Sequence, residues 1–210
     1  MNGRAYKTML YLGCVAGVYV GAAVAGERGL DESQFSLVTI ALLIPALVGA
    51  RLWFVVRHLD GYRQEPRRVL ARSEGGAGLF GALVVAVVVS VPVLAVAGLP
   101  FWAFWDAASV TMLVGLIFTR FGCLMNGCCA GRPTQGPFGM RLPNVAGEWQ
   151  RRYPTQLLEA GWAGVILAAV LALRMEVPFD GAFFVSIVAL YCSGRVILEA
   201  MREVSRLRPA

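Results

Sequence analysis

Three of the chain's five cysteines, Cys123, Cys128 and Cys129, fall within one short stretch, Arg120–Thr134, which reads RFGCLMNGCCAGRPT. Arg120, Asn126, Gly127, Gly131 and Arg132 share that stretch, so thiols, guanidiniums, a carboxamide and permissive backbone are concentrated in fifteen residues. Thiols so grouped can ligate a soft metal, form a redox pair or carry a lipid. The C-x4-C-C spacing lacks the second ligand pair of a structural zinc site, and the single histidine, His58, lies on another loop. No metal and no cofactor are therefore expected. A thiol site at Cys123, Cys128 and Cys129 stays open beside the plainer reading of small residues that pack well. Cys14 and Cys192 sit inside apolar runs and read most simply as small apolar side chains.

A second group of candidates is cationic. Arg51, Arg120 and Arg195 stand near helix ends that fall on one side of a membrane, with Glu159 and Glu199 able to orient them. A charged side chain at membrane depth costs roughly 2.5–3.5 kcal/mol on insertion scales, so it usually faces a cavity and does something there. Guanidiniums bind phosphate bidentately, which makes a phosphate cradle the sharper reading. An ion-pair network that only pins helices, or side chains snorkelling to the interface, is the blander one. Asp106 is a further charge at depth. Asn126 can turn the backbone or bond a ligand, and Gly75, Gly76, Gly78 and Gly81 allow either close ligand approach or helix packing, the latter sufficing for Gly78 and Gly81.

The elements that must position these residues are long apolar runs. The chain of 210 residues is 58% hydrophobic and 15% charged, and its mean hydropathy is +0.65. Spans are expected at about 8–25, 35–56, 78–98, 102–119, 156–173 and 180–199, each near the length of roughly 20 residues that crosses a bilayer. This predicts an all-α, polytopic membrane helical bundle of one domain, residues 1–210, with a long loop between the fourth and fifth helices. Continuous rather than alternating hydrophobicity disfavours a barrel. Arg4 and Lys7 before an apolar core resemble a signal peptide, but the run is long and five more follow, so the first helix is expected to be a span. Pro133, Pro137, Pro143 and Pro154 argue against regular structure in Gly122–Pro154. Trp102 and Trp105 suit an interfacial belt, and Pro45 is expected to kink the second helix.

The net charge of +6 comes mostly from arginine in loops, not from a basic stripe on a soluble face, so a nucleic-acid partner is not expected. Arg57, Arg63, Arg67, Arg68 and Arg72 share a side with Arg132, Arg141, Arg151 and Arg152 and with Arg202, Arg206 and Arg208. By loop charge, that side, the cysteine stretch included, is cytoplasmic.

At this point the residues resemble the bacterial prolipoprotein diacylglyceryl transferases over almost the whole chain. Arg120-Phe121-Gly122, Asn126-Gly127 and Gly131-Arg132 are similar to that family's signature, Gly-Arg-x-Gly-Asn-Phe-x-Asn-Gly-Glu followed by Gly-Arg. Arg152-Tyr153-Pro154-Thr155-Gln156-Leu157-Leu158-Glu159 resembles its Arg-His-Pro-Ser-Gln-Leu-Tyr-Glu. Gly49-Ala50-Arg51 resembles the Gly-Arg ending its second helix, and Tyr191 through Arg195 and Glu199 to Arg202 its Tyr-x-x-x-Arg-x-x-x-Glu-x-x-Arg. Tyr6 stands where the family opens its first helix with tyrosine. The family's Gly-Gly-x-x-Phe-His-Gly-Gly becomes Gly75-Gly76-Ala77-Gly78-Leu79-Phe80-Gly81-Ala82, so Phe80 occupies the histidine position. Cys123 and Cys128 stand for the signature's first Asn and its Glu, Thr119 for its leading Gly, and six spans are expected against the usual seven.

The resemblance implies a multi-pass protein of the bacterial inner membrane that moves a diacylglyceryl group from phosphatidylglycerol to a lipoprotein-precursor cysteine or another acceptor. It implies Arg120, Arg195 and Asn126 as catalytic. It implies Tyr6, Arg51, Gly75, Gly76, Gly81, Arg132, Arg152, Gln156, Glu159, Glu199 and Arg202 as binding an anionic phospholipid. It also implies a site facing outward, opposite to what the loop charges predict. Two other readings stand beside it: a lipid-binding membrane protein without the base, and a thiol redox or metal protein using the C-x4-C-C stretch.

Overall fold

The computed structural model describes residues 3–59, 78–143, 147–173 and 179–201. The helices are α1 (Gly3–Glu27), α2 (Glu32–Arg57), α3 (Leu79–Ala97), α4 (Phe101–Asn126), α5 (Thr155–Leu173) and α6 (Ala182–Met201), with strands β1 (Met140–Pro143) and β2 (Trp149–Arg152) between α4 and α5. Each of these six described helices is long and apolar enough to cross a membrane, so the chain is a polytopic helical membrane protein, as the apolar runs predict. Gly75, Gly76 and Arg202 lie outside the described residues, as do Arg63, Arg67, Arg68 and Arg72.

The chain divides into two compact units, Ala25–Phe104 and a discontinuous one made of Met1–Val24 with Trp105–Ala210. In the first, Asp31 caps α2 by accepting from the Gln34 amide at 2.6 Å, and Gly98 closes α3 in the left-handed conformation that suits glycine. Helices α2 and α3 touch through small residues. A Cβ on Gly49 would stand 2.5 Å from the Gly81 carbonyl oxygen, and one on Gly81 would meet the Trp53 side chain. The Gly78 amide donates to the Ala50 carbonyl at 3.0 Å. Gly78 and Gly81 thus serve helix packing, one of the two roles their spacing allows.

In the second unit, α1 lies on α4. A Cβ on Gly17 would come within 2.7 Å of the Thr111 carbonyl oxygen, and Gly13 faces Phe118. Asp106, fully buried in α4, accepts from the Gly181 amide at 2.9 Å and the Phe184 amide at 2.8 Å. One carboxylate so placed satisfies two amide donors at the start of α6. This gives the charge at depth a structural task. Trp105 is buried and its ring centroid lies 5.2 Å from that of Phe184, so only Trp102, half exposed, retains the exposure of a belt residue.

Two further expectations are corrected. Helix α4 does not stop near residue 119 but runs to Asn126, because Phe121, Leu124 and Met125 continue the apolar pattern past Arg120. Arg120, Cys123 and Asn126 are therefore helical. The proline-rich stretch is also not irregular throughout: Met140–Pro143 pairs antiparallel with Trp149–Arg152, in the register Met140 opposite Arg152. Pro143 ends its strand, where a missing amide donor costs little. Four-residue strands are too short to show a period in the sequence.

Candidate functional site

The site starts from how α4 ends. Gly127, with φ +70°, supplies the left-handed residue after the helix. The Gly127 amide donates to the Leu124 carbonyl at 3.2 Å and the Cys128 amide to the Cys123 carbonyl at 3.1 Å. This pair of bonds is the Schellman closure that glycine after a helix favours, and it folds Cys128 back beside Cys123. Asn126-Gly127 thus acts first as a turn, the structural alternative weighed for it, while the Cys128 thiol donates to the Cys123 carbonyl at 3.6 Å. Cys129 follows with φ +62°, uncommon for a residue that is neither Gly, Asn nor Asp.

The stretch after it is tied to neighbouring elements. The Gly131 amide donates to the Tyr153 carbonyl at 2.9 Å, and the Arg132 amide to the Met201 carbonyl at the end of α6, also at 2.9 Å. Thr155 donates its hydroxyl to the Cys129 carbonyl at 2.8 Å, and Gln156 Nε2 to the Cys128 carbonyl at 2.7 Å. Buried Arg152 donates from Nη1 to the Gly131 carbonyl at 3.4 Å and from Nη2 to Gln150 Oε1 at 3.3 Å. Arg132 has its side chain exposed.

At the centre stands Glu159, buried in the first turns of α5. Arg120 Nη2 on α4 reaches its Oε1 at 2.7 Å, Tyr191 on α6 donates its hydroxyl to the same oxygen at 2.6 Å, and Arg195 Nη1 meets Oε2 at 3.1 Å. Arg195 Nη2 also pairs with Glu199 Oε2 at 2.7 Å, one turn further along α6. Three helices therefore meet on one carboxylate. The charges do not balance inside: the Glu159 side chain is 3% exposed and the Glu199 side chain 63%, so solvent screens the second carboxylate and the buried part carries excess positive charge. Among the described residues, Arg120 Nε and Gln156 Oε1 are buried with no hydrogen-bond partner. A buried guanidinium donor left open beside excess positive charge suits an anion.

Of the predicted residues, the structure thus brings together Arg120, Glu159, Arg195 and Glu199, while Gln156 is bonded to the Cys128 carbonyl. Tyr6 packs on Gly122, where an added Cβ would stand 3.3 Å from its ring. It lies within electrostatic reach of the three thiols and of Arg120. Arg51 belongs to the other unit, its guanidinium 5.7 Å from the Phe54 ring centroid. Sequence reasoning missed Tyr191 and Thr155 as site residues. The signal for Tyr191 was its placement one helical turn before Arg195, on the same face.

The sulfurs of Cys123, Cys128 and Cys129 all lie within 4.8 Å of one another, and none of the three is in a disulfide. Cys128, beyond the end of the span, has its thiol held above the ordinary range. A hydrogen bond with Cys123 acts to lower it, and the bond with Cys129 together with burial outweighs that. A thiol so held is protonated at neutral pH and a weak nucleophile.

Comparison with known proteins bears on this arrangement. A profile of the family described as prolipoprotein diacylglyceryl transferase matches residues 1–209. The chain is 32% identical over 205 residues to a phosphatidylglycerol–prolipoprotein diacylglyceryl transferase of Geobacter sulfurreducens, covering 95% of this chain and 78% of that protein. Similar proteins of the same name occur in Bacillus cereus, at 30% identity with 95% and 77% covered, and in Shouchella clausii, at 29% with 94% and 74% covered.

Proposed function

The chain belongs to the prolipoprotein diacylglyceryl transferase family, and on that premise we propose that it is a multi-pass protein of the bacterial inner membrane that holds an anionic phospholipid, phosphatidylglycerol by chemistry, and transfers its diacylglyceryl group to a thiol or another acceptor. The observation that carries the reading is the convergence of Arg120 and Arg195 on Glu159, with Arg120 Nε still open. Glu159 fixes both guanidiniums, and the lipid phosphodiester then takes the donors that remain.

In the transfer, the acceptor sulfur forms a bond to the terminal glyceryl carbon of the diacylglyceryl group. The bond from that carbon to the phosphate oxygen breaks, the electron pair leaves with glycerol phosphate, and the thiol proton must go to a base. Arg120 and Arg195 offset the charge gathered on the departing phosphate. Asn126 joins Arg120 and Arg195 in the proposed catalytic set, and Tyr6, Arg132, Arg152 and Gln156 belong to the proposed binding set.

Glu159 already accepts from three donors and is a poor candidate for the base. Phe80, exposed in the first turn of α3, cannot accept a proton either. That residue favours a second reading, in which the protein binds the lipid without turning it over.

Lipid extracted with the purified protein and identified by mass spectrometry tests the shared part of both readings. Phosphatidylglycerol is expected to co-purify with the natural protein and to be lost from Arg120→Ala and Arg195→Ala, with the Lys variants rescuing partly because the bidentate fork is gone. Unchanged retention in both alanine variants overturns the lipid site. Release of glycerol phosphate in the presence of a cysteine-bearing lipoprotein-precursor peptide separates the readings: release supports transfer, and its absence with lipid bound supports the non-catalytic one. Loop charge assigns the site to the cytoplasmic face. In a variant without other cysteines, an impermeant thiol reagent should then label a cysteine at Gln34 and spare one at Gln64 in intact cells, and the opposite pattern reverses the assignment.

A further inference from the structure

From the convergence of Cys123, Cys128 and Cys129 we infer a three-sulfur site for one soft monovalent cation, copper(I) by chemistry, at the end of α4. The lipid-transfer reading uses none of these thiols, and the inference stands independently of it. Three sulfurs bound to one ion at about 2.3 Å, the usual metal–thiolate distance, stand about 4 Å apart in a plane. The sulfurs here lie within 4.8 Å of one another, so small side-chain rotations close the site without moving the backbone.

The backbone is shaped to this end. The Schellman closure at Gly127 returns Cys128 toward Cys123, and the left-handed Cys129 turns the next side chain to the same point. Small residues that merely pack do not require that conformation, which is disfavoured for an ordinary side chain. The carbonyls of both cysteines are held in turn, Cys129 by Thr155 and Cys128 by Gln156. Hydrogen bonds that fix the ligand backbone are the outer shell of a metal site.

The choice of ion follows from the ligand set. Thiolates select soft ions such as copper(I) and zinc. Zinc in a structural site takes four ligands. Among the described residues no fourth ligand joins the three cysteines. Each thiol that binds releases its proton to solvent, three sulfur–copper bonds form, and copper keeps its oxidation state. Three thiolates on a monovalent ion leave excess negative charge, and the Arg120 guanidinium lies within electrostatic reach of Cys123 and Cys129 to offset it.

The full-length protein in detergent, titrated without oxygen against copper(I) held by bicinchoninate, tests this. The natural protein should withdraw one equivalent per chain. Cys123→Ser, Cys128→Ser and Cys129→Ser should each lose it, while Cys14→Ser with Cys192→Ser keeps it. Thr155→Val, which frees the Cys129 carbonyl but touches no ion, should weaken uptake by about 10–100-fold. In the natural protein alone, bound copper(I) should protect those three cysteines, and not Cys14 or Cys192, from N-ethylmaleimide, read by peptide mass spectrometry. X-ray absorption should show three sulfur neighbours at one distance. No withdrawal of copper from bicinchoninate by the natural protein overturns the proposal, as does uptake that survives Cys128→Ser, a fourth protein ligand, or one zinc bound in preference to copper.

Discussion

In the unit Ala25–Phe104, helices α2 and α3 meet almost backbone to backbone, at Gly49, Gly78 and Gly81 under the Trp53 ring. In the other unit, α4, α5 and α6 meet through charge, with Arg120, Tyr191 and Arg195 all directed at Glu159 and Asp106 holding the start of α6. The buried polar side chains described in the first unit are only Thr39 and Ser90, whereas the second buries Asp106, Ser109, Arg152, Thr155, Gln156 and Glu159, four of them charged or carboxamide groups. Lipid is as apolar as leucine, so helices in it gain from close van der Waals contact and gain little by burying one another. Small residues supply that contact without desolvating anything. An ion cluster must overcome the cost of removing charges from water, and an apolar replacement would often hold the helices as well. The cluster therefore marks the unit where charge is needed for something besides cohesion.

The sharpest way to break this comparison is Glu159→Ala, which leaves two guanidiniums without their shared carboxylate. It should cost roughly 3–5 kcal/mol, seen as a large fall in the thermal midpoint in detergent. The triple replacement Arg120→Met, Glu159→Leu, Arg195→Met should recover most of that stability and still retain no phosphatidylglycerol. If the triple variant is as unstable as Glu159→Ala, the cluster is a structural device after all. Gly49→Leu probes the other unit. It overpacks the α2–α3 contact and should cost about 1–3 kcal/mol, measured by the same midpoint, whereas Gly115→Ala on α4, whose added Cβ would lie 3.8 Å from the Gly13 carbonyl, should be nearly silent. Asp106→Ala removes an acceptor shared by two amides and should cost about 1 kcal/mol. Hydrogen exchange should then accelerate at Gly181 and Phe184 and leave the end of α6 unchanged. Smallest of all is Glu199→Gln, which loses an ion pair whose carboxylate is 63% exposed and should shift stability by under about 1 kcal/mol. A larger shift would show that Glu199 shares the burial of Glu159.

Much of the helical layout was legible because it depends on local properties. Apolar runs mark spans wherever they occur, whereas the Asp31 cap that starts α2 before residue 35 and the Gly127 turn that stops α4 were not read as boundaries. The error at the end of α4 came from treating Arg120 as a boundary, although one long charged side chain on a helix leaves its backbone bonds intact. The β1–β2 hairpin was missed because four-residue strands among prolines carry too little pattern. Trp105 was misplaced because composition cannot tell a ring facing lipid from one facing Phe184.

What the sequence by itself determined is that this chain carries six runs long and apolar enough to cross a membrane, groups three thiols in one stretch and gathers most of its arginines between those runs, since each of these follows from residue type and short spacing. Which arginines share a carboxylate was decided only by the tertiary structure. Arg120, Arg195 and Tyr191 are 39, 36 and 32 residues from Glu159, and Asp106 reaches an amide 75 residues away. The same holds for the Cys128 and Cys129 carbonyls, which are held from the start of α5 by Gln156 and Thr155. A hydrogen bond depends on distance and angle to within tenths of an ångström, and those are set by how separate helices pack, a property that no local window of sequence contains.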